Sequence, residues 1–322
     1  MASKSKIEWT DSTWQPIRAR WVESINGGSA ARERVGWHCE HVSEGCRNCY
    51  AERMNMRLGT GLEFKPGNLR QNKVPADLFL DEKMLTQPFC WTRPRHIFVC
   101  AMTDLFGAFV PDDFIDKLFA VMARCPQHIF QTPTKRTTRM REYLAARTDS
   151  PLKNILLGAS VEDQKSADAR RHDLKYLASQ GWNTFVSYEP ALGPVDWTGW
   201  GFLRWLISGG ESGPNARPSH PDWHRAARDF CQAEGRNIPY FFKQHGEWLP
   251  GEVFSETRED GVYGGFVKHQ DGSKNSHRGL PDYWWIGDAF GGVISTRVGK
   301  KRAGNILDGQ VWDQMPEGLS HG

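Results

Sequence analysis

From about residue 95 to 245, short apolar runs alternate with amphipathic stretches of helical length. The runs are HIFVCAM (96–102), HIFQT (128–132), NILLGASV (154–161), NTFVSY (183–188), LRWLISGG (203–210) and IPYFFK (238–243). They are rich in Ile, Val, Phe and Leu without clear period-two alternation, the pattern of strands buried on both faces of a parallel sheet. Between them DDFIDKLFAVMARC, TKRTTRMREYLAARTD, EDQKSADARRHDLKYLASQG and HPDWHRAARDFCQAEG place apolar residues three and four apart, as surface helices do. Strand and helix in alternation predict an α/β fold, a partial parallel βα barrel of the TIM-like type. Residues 1–94 read differently: a strand-like KIEWT, a loop-like VESINGGSAARERVG, and a helix-like CYAERMNMRLG stopped by Gly59. After residue 246 the pattern dissolves into Gly, charge and aromatics. The expected organisation is therefore a barrel over 1–245 with an N-terminal cysteine loop, and a loop-rich extension over 246–322 with one or two hairpins packed on it.

Six successive strands finish on, or are soon followed by, a charged residue: Asp104, Lys135, Glu162, Glu189, Glu211 and Lys243. The C-terminal strand ends of a closed or nearly closed βα barrel ring one mouth, so these six are expected to converge there. Helix capping is the competing explanation for some of them, since Glu162 and Asp163 suit the start of the helix QKSADARRH. Lys243, directly after an apolar YFF, is a costly charge unless it has a partner or a polar cavity. Lys135 and Arg136 suit a carboxylate or a phosphate.

WHCEHVSEGCRNCYAERM sets Cys39, Cys46 and Cys49 in one loop that runs straight into a helix. Three thiolates on one loop can take three corners of a [4Fe–4S] cluster and leave its fourth iron open. A Cys3His zinc site completed by His38 or His41 uses the same donors. Cys90, Cys100, Cys125 and Cys231 stand singly in apolar or helical surroundings and read as small buried hydrophobes.

Composition narrows the function classes. With 41 Lys+Arg against 38 Asp+Glu, the formal net charge of +3 excludes a histone-like polycation. With 39% hydrophobic and 25% charged residues the chain has a globular composition, and its apolar runs are too short to span a membrane. The N-terminus MASKSKIEWTDS has no apolar secretory core, so a cytoplasmic location with reduced cysteines is expected. Arg32, Arg34, Arg136, Arg139, Arg141, Arg170 and Arg171, with Lys300, Lys301 and Arg302, are the material for phosphate contact. Helix faces exposed to water use such residues equally well. The 14 Trp serve either a core or base stacking.

A three-cysteine loop followed by a βα barrel resembles the radical S-adenosylmethionine (SAM) superfamily. More closely, IEWTDSTW, GCRNCYAERM, SVEDQ, SYEPALGP, ISGGESGPNARP, FFKQHGEW and VGKKRAGNILDGQVWD resemble a phage and prophage family long labelled as of unknown function. Its members share the triplet and have been connected with radical SAM chemistry, including isomerases that hypermodify thymidine in phage DNA and so evade host restriction. The resemblance implies a barrel of the radical SAM type, with Cys39, Cys46 and Cys49 as ligands of a [4Fe–4S] cluster and SAM as cofactor. Gly209, Gly210, Glu211 and Ser212 look like the element holding the SAM amino group, with Asp104 also on the cofactor side. Glu162, Glu189 and Lys243 are the catalytic candidates. The substrate it implies is a modified thymine base in DNA, and the partner an electron donor such as flavodoxin or ferredoxin. The chain departs from the superfamily pattern in two places: six residues rather than three separate Cys39 from Cys46, and GGES falls on a late strand. Two readings from other classes stand beside it, a zinc-stabilised nucleic-acid-binding protein without turnover and a metal-dependent βα-barrel hydrolase.

Overall fold

The computed structural model describes residues 5–25, 30–65, 76–147, 150–257, 263–269, 274–276, 283–288 and 291–316, with side chains described outside 23–31, 76 and 252–292. The fold is mixed α/β, built on a seven-stranded parallel half-barrel sheet. Its strands in sheet order are β1 (Ser12–Trp14), β5 (His96–Val99), β6 (Ile129–Thr134), β7 (Ile155–Ser160), β8 (Asn183–Tyr188), β9 (Trp205–Gly209) and β10 (Tyr240–Gln244). The chain divides into two compact units, Met1–Ser160 with Ala169–Val186 and Glu317–Gly322, and Val161–Asp168 with Ser187–Pro316.

In the first unit, α3 (Asp112–Ala123) links β5 to β6 and α4 (Thr137–Ala145) links β6 to β7; α5 (Gln164–Ser179), which belongs to this unit from Ala169 on, leads to β8. Parallel register pairs Ile97 with Phe130 and Phe130 with Ile155. Trp14, Ile97, Phe130, Met122, Ile155, Leu157 and Phe185 are fully buried. Burial along both faces of β7 explains its apolar run, and β6 is buried on both faces although it carries Gln131, Thr132 and Thr134.

Two expectations for the N-terminal third fail. KIEWT is not a strand; residues 6–9 are bend and turn, and the sheet strand begins at Ser12. The loop-like VESINGGSAARERVG contributes instead to a three-stranded antiparallel sheet in which β2 (Ile17–Ile25) lies between β3 (Ala30–Gly36) and β4 (Ala76–Leu80). Ile17, Ala19 and Gly36 are buried but Arg20, Val22, Arg32, Glu33 and Val35 are exposed, so the buried stripe is too short and its residues too small for a hydrophobicity pattern to report. Between β3 and β4 runs α1 (Tyr50–Leu58), and α2 (Glu82–Leu85), capped by Asp81, precedes β5.

In the second unit, α6 (Pro221–Gln232) joins β9 to β10 and buries Trp223, His224, Ala227, Phe230 and Cys231. The stretch after 246 holds a five-stranded antiparallel sheet, in the order β13 (Lys274–Ser276), β12 (Tyr263–His269), β11 (Trp248–Thr257), β15 (Gly291–Arg297), β14 (Tyr283–Asp288). A short helix α7 (Lys300–Ala303) and the pair β16 (Ile306–Leu307) and β17 (Gln310–Val311) follow. Among the described residues no helix is long and apolar enough to cross a membrane. Cys100, Cys125 and Cys231 are buried as expected, whereas Cys90 is exposed, because it ends a one-turn segment (Gln87–Cys90) at the surface.

Candidate functional site

In the first unit the cysteine loop coils through successive tight turns. The amides of Cys46, Arg47 and Cys49 donate to the carbonyls of Ser43, Glu44 and Cys46 at 2.9, 3.1 and 3.3 Å. This winding brings Cys39, Cys46 and Cys49 within mutual electrostatic reach. None is in a disulfide, and each is partly buried. Cys49 sits at the N-cap position of α1, and the Val42 amide donates to Cys46 Sγ at 3.4 Å. Burial pushes the Cys39 thiol well up, with Asp104 adding to the effect and Arg136 opposing it. Burial likewise raises Cys49, against the amides of Glu52 and Ala51 at the start of α1 and the charge of Lys135. His38 is held down to about 4 by burial and by Arg136, so its ring is neutral. Among the described residues no three His, Cys, Asp or Glu side chains stand close enough together to hold a metal ion. The fit to a metal cluster lies in the donor chemistry: three soft thiols on one loop, with Arg136 opposing the burial that raises Cys39 and Lys135 opposing the burial that raises Cys49.

Several contacts hold this loop in place. Cys39 and Cys49 pack against Ala51, Phe64 and Met102. The buried Asn55 amide donates to Thr60 Oγ1 and Leu62 O at 2.8 Å each, and accepts from the amides of Trp37 at 2.9 Å and Thr60 at 3.1 Å. All four of its hydrogen-bonding positions are thus used. Gly59 ends α1 as the sequence predicts, though by close approach rather than left-handed backbone: a Cβ there would lie 2.2 Å from Asn55 Oδ1. Arg136 spans the loop and the strand ends, donating to Asp104 Oδ2 at 3.1 Å and to Glu40 O at 3.2 Å. Burial alone would lower the Arg136 guanidinium, but Asp104, Cys39 and Glu40 more than reverse that and leave it raised. Asp104 accepts from four donors: the Thr134 hydroxyl (2.6 Å), the Phe106 and Lys135 amides (3.0 and 3.2 Å) and Arg136. Its oxygens are therefore committed to joining the segment after β5 to the start of the β6–α4 connection.

In the second unit Glu162, Glu189, Glu211 and Lys243 all stand at or just beyond the C-terminal ends of strands. Lys243 is the extra residue of a bulge in β10, since Phe242 pairs with Ser208 and Gln244 with Gly209. A bulge re-aims the side chain it carries, and here Lys243 Nζ reaches Glu189 Oε1 at 2.9 Å. Gly209 lies against the same carboxylate, the place of a Cβ being 2.8 Å from Glu189 Oε1. Glu211, buried beside this strand end, is clamped by Arg217, whose Nη2 and Nε donate at 2.6 and 2.9 Å and whose amide donates at 2.8 Å. Gly210 admits no side chain, because a Cβ would lie 2.1 Å from His245 O. Ser212 is half-buried in the same turn. Glu162 is buried; its backbone carbonyl accepts from Leu192 and Gly193, and its amide meets Ser166 Oγ at 2.8 Å. Asp163, not Glu162, caps α5, accepting from the Ser166 amide at 2.8 Å.

The structure thus groups the three cysteines with Asp104 in the first unit, and Glu189 with Gly209 and Lys243 in the second. Sequence reasoning missed Asn55, Arg217 and the buried His224, whose ring meets Ser208 Oγ at 2.5 Å and Ser219 Oγ at 2.9 Å. A polar residue on the otherwise apolar face of α6 was the only signal for His224. Among the candidate phosphate ligands, Arg136, Arg139, Arg141 and Arg170 have partners within the fold, whereas Lys301 and Arg302 on α7 are exposed.

No curated protein matches the chain. Two solved structures of spore photoproduct lyase are similar at 11% identity. One, a variant with bound AdoMet and dinucleoside spore photoproduct, matches with a TM-score of 0.38 over 79% of this chain and 65% of its own. The other, complexed with dinucleoside spore photoproduct, matches with a TM-score of 0.40 over 92% and 71%. This chain therefore spans just under two thirds of the first neighbour's length. A family model described as "Protein of unknown function (DUF5131)" matches residues 34–316, and the chain belongs to that family.

Proposed function

We propose that the protein is a radical SAM enzyme that holds a [4Fe–4S] cluster on Cys39, Cys46 and Cys49 and isomerises an amino-acid-modified thymidine in phage DNA, in the host cytoplasm. The observation that carries this reading is the coiling of three unpaired, mutually coupled thiols onto one loop beside Lys135 and Arg136. When bound, such a cluster supplies the electron that cleaves SAM to a 5′-deoxyadenosyl radical able to take hydrogen from a substrate carbon.

The chain's own residues do the rest. Arg136, fixed by Asp104, and Lys135 favour the thiolate form that metal ligation requires. Lys243 Nζ meets Glu189 Oε1 at a strand end, a pair suited to orienting hydroxyls or passing a proton. Arg217 occupies the Glu211 carboxylate, and the chain's own atoms fill the space beside Gly209 and Gly210, so in this reading the Gly209–Ser212 stretch serves SAM through its backbone. Lys301 and Arg302 are available to DNA phosphates, which bind in a salt-dependent and sequence-blind way. In this reading the Trp- and Tyr-rich stretch from about residue 246 to 292 is the material for a rim and lid over the substrate; its side chains within 252–292 lie outside the described ones.

Anaerobic reconstitution with iron and sulfide tests the reading. A brown protein absorbing near ~400 nm is expected, with iron retention lost in Cys39→Ala, Cys46→Ala and Cys49→Ala and kept in Cys231→Ala. Iron content equal to wild type in all three loop variants overturns the proposal, and a colourless zinc protein points to the binding-protein alternative. SAM cleavage by the reduced protein, with turnover of thymidine-modified DNA, tests the substrate.

A further inference from the structure

Cys46 and Cys49 form a C-x-x-C pair closed by a single turn. The Cys49 amide donates to the Cys46 carbonyl at 3.3 Å, and such a turn keeps its first and fourth Cα atoms within about 7 Å, close to the span that a disulfide bridges. The two thiols are in electrostatic reach of each other, and neither is in a disulfide. Because the turn is already part of the fold, joining them asks little further ordering of the chain. Their surroundings differ. Cys49 heads α1 and packs against Ala51, Phe64 and Met102, whereas Cys46 Sγ accepts from the Val42 amide at 3.4 Å. An open groove of about 610 Å³ has Arg47, the residue after Cys46, in its wall together with His41, Arg57 and Lys65. Glu52 and Glu63 also line it, the first accepting from the Phe64 amide at 2.7 Å and the second paired with Lys65.

We propose that Cys46 and Cys49 are a thiol–disulfide exchange site for a small anionic disulfide such as glutathione disulfide, Cys46 attacking and Cys49 resolving. The site belongs to the chain with its thiols unliganded and does not depend on the cluster reading. Cys46 sulfur attacks one sulfur of the oxidant, whose S–S bond breaks and releases one glutathione. Cys49 sulfur then attacks Cys46 sulfur in the mixed disulfide and releases the second. The two thiol protons pass to the two glutathiones, and two electrons pass from the chain to the oxidant. In a reducing compartment such a pair is transient rather than structural. While closed, it withdraws two of the three loop thiols from any metal.

The test equilibrates the full-length, chelator-treated protein with glutathione buffers of increasing disulfide content, quenches in acid and maps the linkages by mass spectrometry. Trypsin cuts after Arg47, and a glutamate-specific protease cuts after Glu40, Glu44 and Glu52, so each loop cysteine leaves on its own peptide. The expected product joins the Cys46 and Cys49 peptides and leaves Cys39 unlinked. Cys49→Ser should raise the glutathione adduct on Cys46 at least about tenfold over wild type, because the intramolecular second step is lost. Thermal midpoints check folding, and Cys49→Ala serves if Cys49→Ser is unfolded. Arg47→Gln with Arg57→Gln should slow the reaction with glutathione disulfide at least about threefold at low salt and leave that with neutral 2-hydroxyethyl disulfide unchanged. No linkage at any buffer ratio, a dominant linkage to Cys39, or an adduct that does not rise in either Cys49 variant overturns the exchange site; equal slowing with both disulfides overturns the anionic assignment. Iron uptake is read separately: a chain that takes up no iron yet forms the Cys46–Cys49 link strikes the cluster reading and upholds this one.

Discussion

Replacing Arg136 by Met tests whether one side chain ties the cysteine loop to the strand ends. The guanidinium is 3.1 Å from Asp104 Oδ2, and the two side chains are only 15% and 9% exposed. At an effective dielectric near 20, that separation corresponds to about 5 kcal/mol of attraction before desolvation is charged against it. Removing one partner of a buried pair costs about 3–5 kcal/mol, because the other is left uncompensated. Three further donors remain on Asp104, which places Arg136→Met at the lower end, about 3 kcal/mol. Asp104→Asn removes the charge and keeps the shape, so a double-mutant cycle should show a coupling of about 2 kcal/mol. Urea unfolding of the four proteins gives the energies, and iron per chain after reconstitution gives the effect on the loop, which should fall in Arg136→Met through the lost bond to Glu40 O. Additive energies together with unchanged iron would refute the reasoning.

Three other outcomes follow from buried groups. His245 is held at about 4, by burial first, against an ordinary 6.5; the unfolded chain therefore takes up the proton first, and stability should fall as pH drops below 6.5 and continue falling to about 4. The loss at pH 5 is about 2 kcal/mol, His224 adds to it in the same direction, and His245→Phe should flatten the pH slope of denaturant unfolding; an unchanged slope counts against this assignment. Gly210→Ala should cost about 2–3 kcal/mol, since its Cβ would meet the His245 carbonyl at 2.1 Å, and a wild-type melting temperature would contradict it. A thiol reagent under native conditions should label Cys90 before Cys100, Cys125 and Cys231, which mass spectrometry can order.

How far the fold can be read from the chain depends on which faces are buried. β7 is covered on both sides, so Ile155–Ala159 are apolar or small and mark the strand without structural help, whereas β6 buries Gln131 and Thr132 beside Ile129 and Phe130. The β2–β3 ribbon exposes Arg20, Val22, Arg32 and Glu33, and the sequence NGGS between its strands reads as a loop. The cysteine triplet was legible because its residues are adjacent in sequence. That Lys243 needs a partner could also be read, from a charge following YFF. That the partner is Glu189, fifty-four residues earlier, could not, because it depends on a bulge in β10. Arg217 and His224 escaped for the same reason: their roles are set by tertiary neighbours and leave no periodic trace.

The position of Cys49 at the head of α1 has a thermodynamic consequence. A nine-residue helix is too short to persist alone in water, and this one buries only Ala51 and Asn55. Asn55 fastens its middle and end through four hydrogen bonds, while its first turn is held through the Cys49 loop. Anything that binds the Cys49 thiolate therefore binds the folded helix in preference to the frayed one, and part of its binding free energy becomes helix stability. Occupancy of the thiols and order along the Arg53–Arg57 face are in that case a single linked equilibrium, and hydrogen exchange at the α1 amides would report on both.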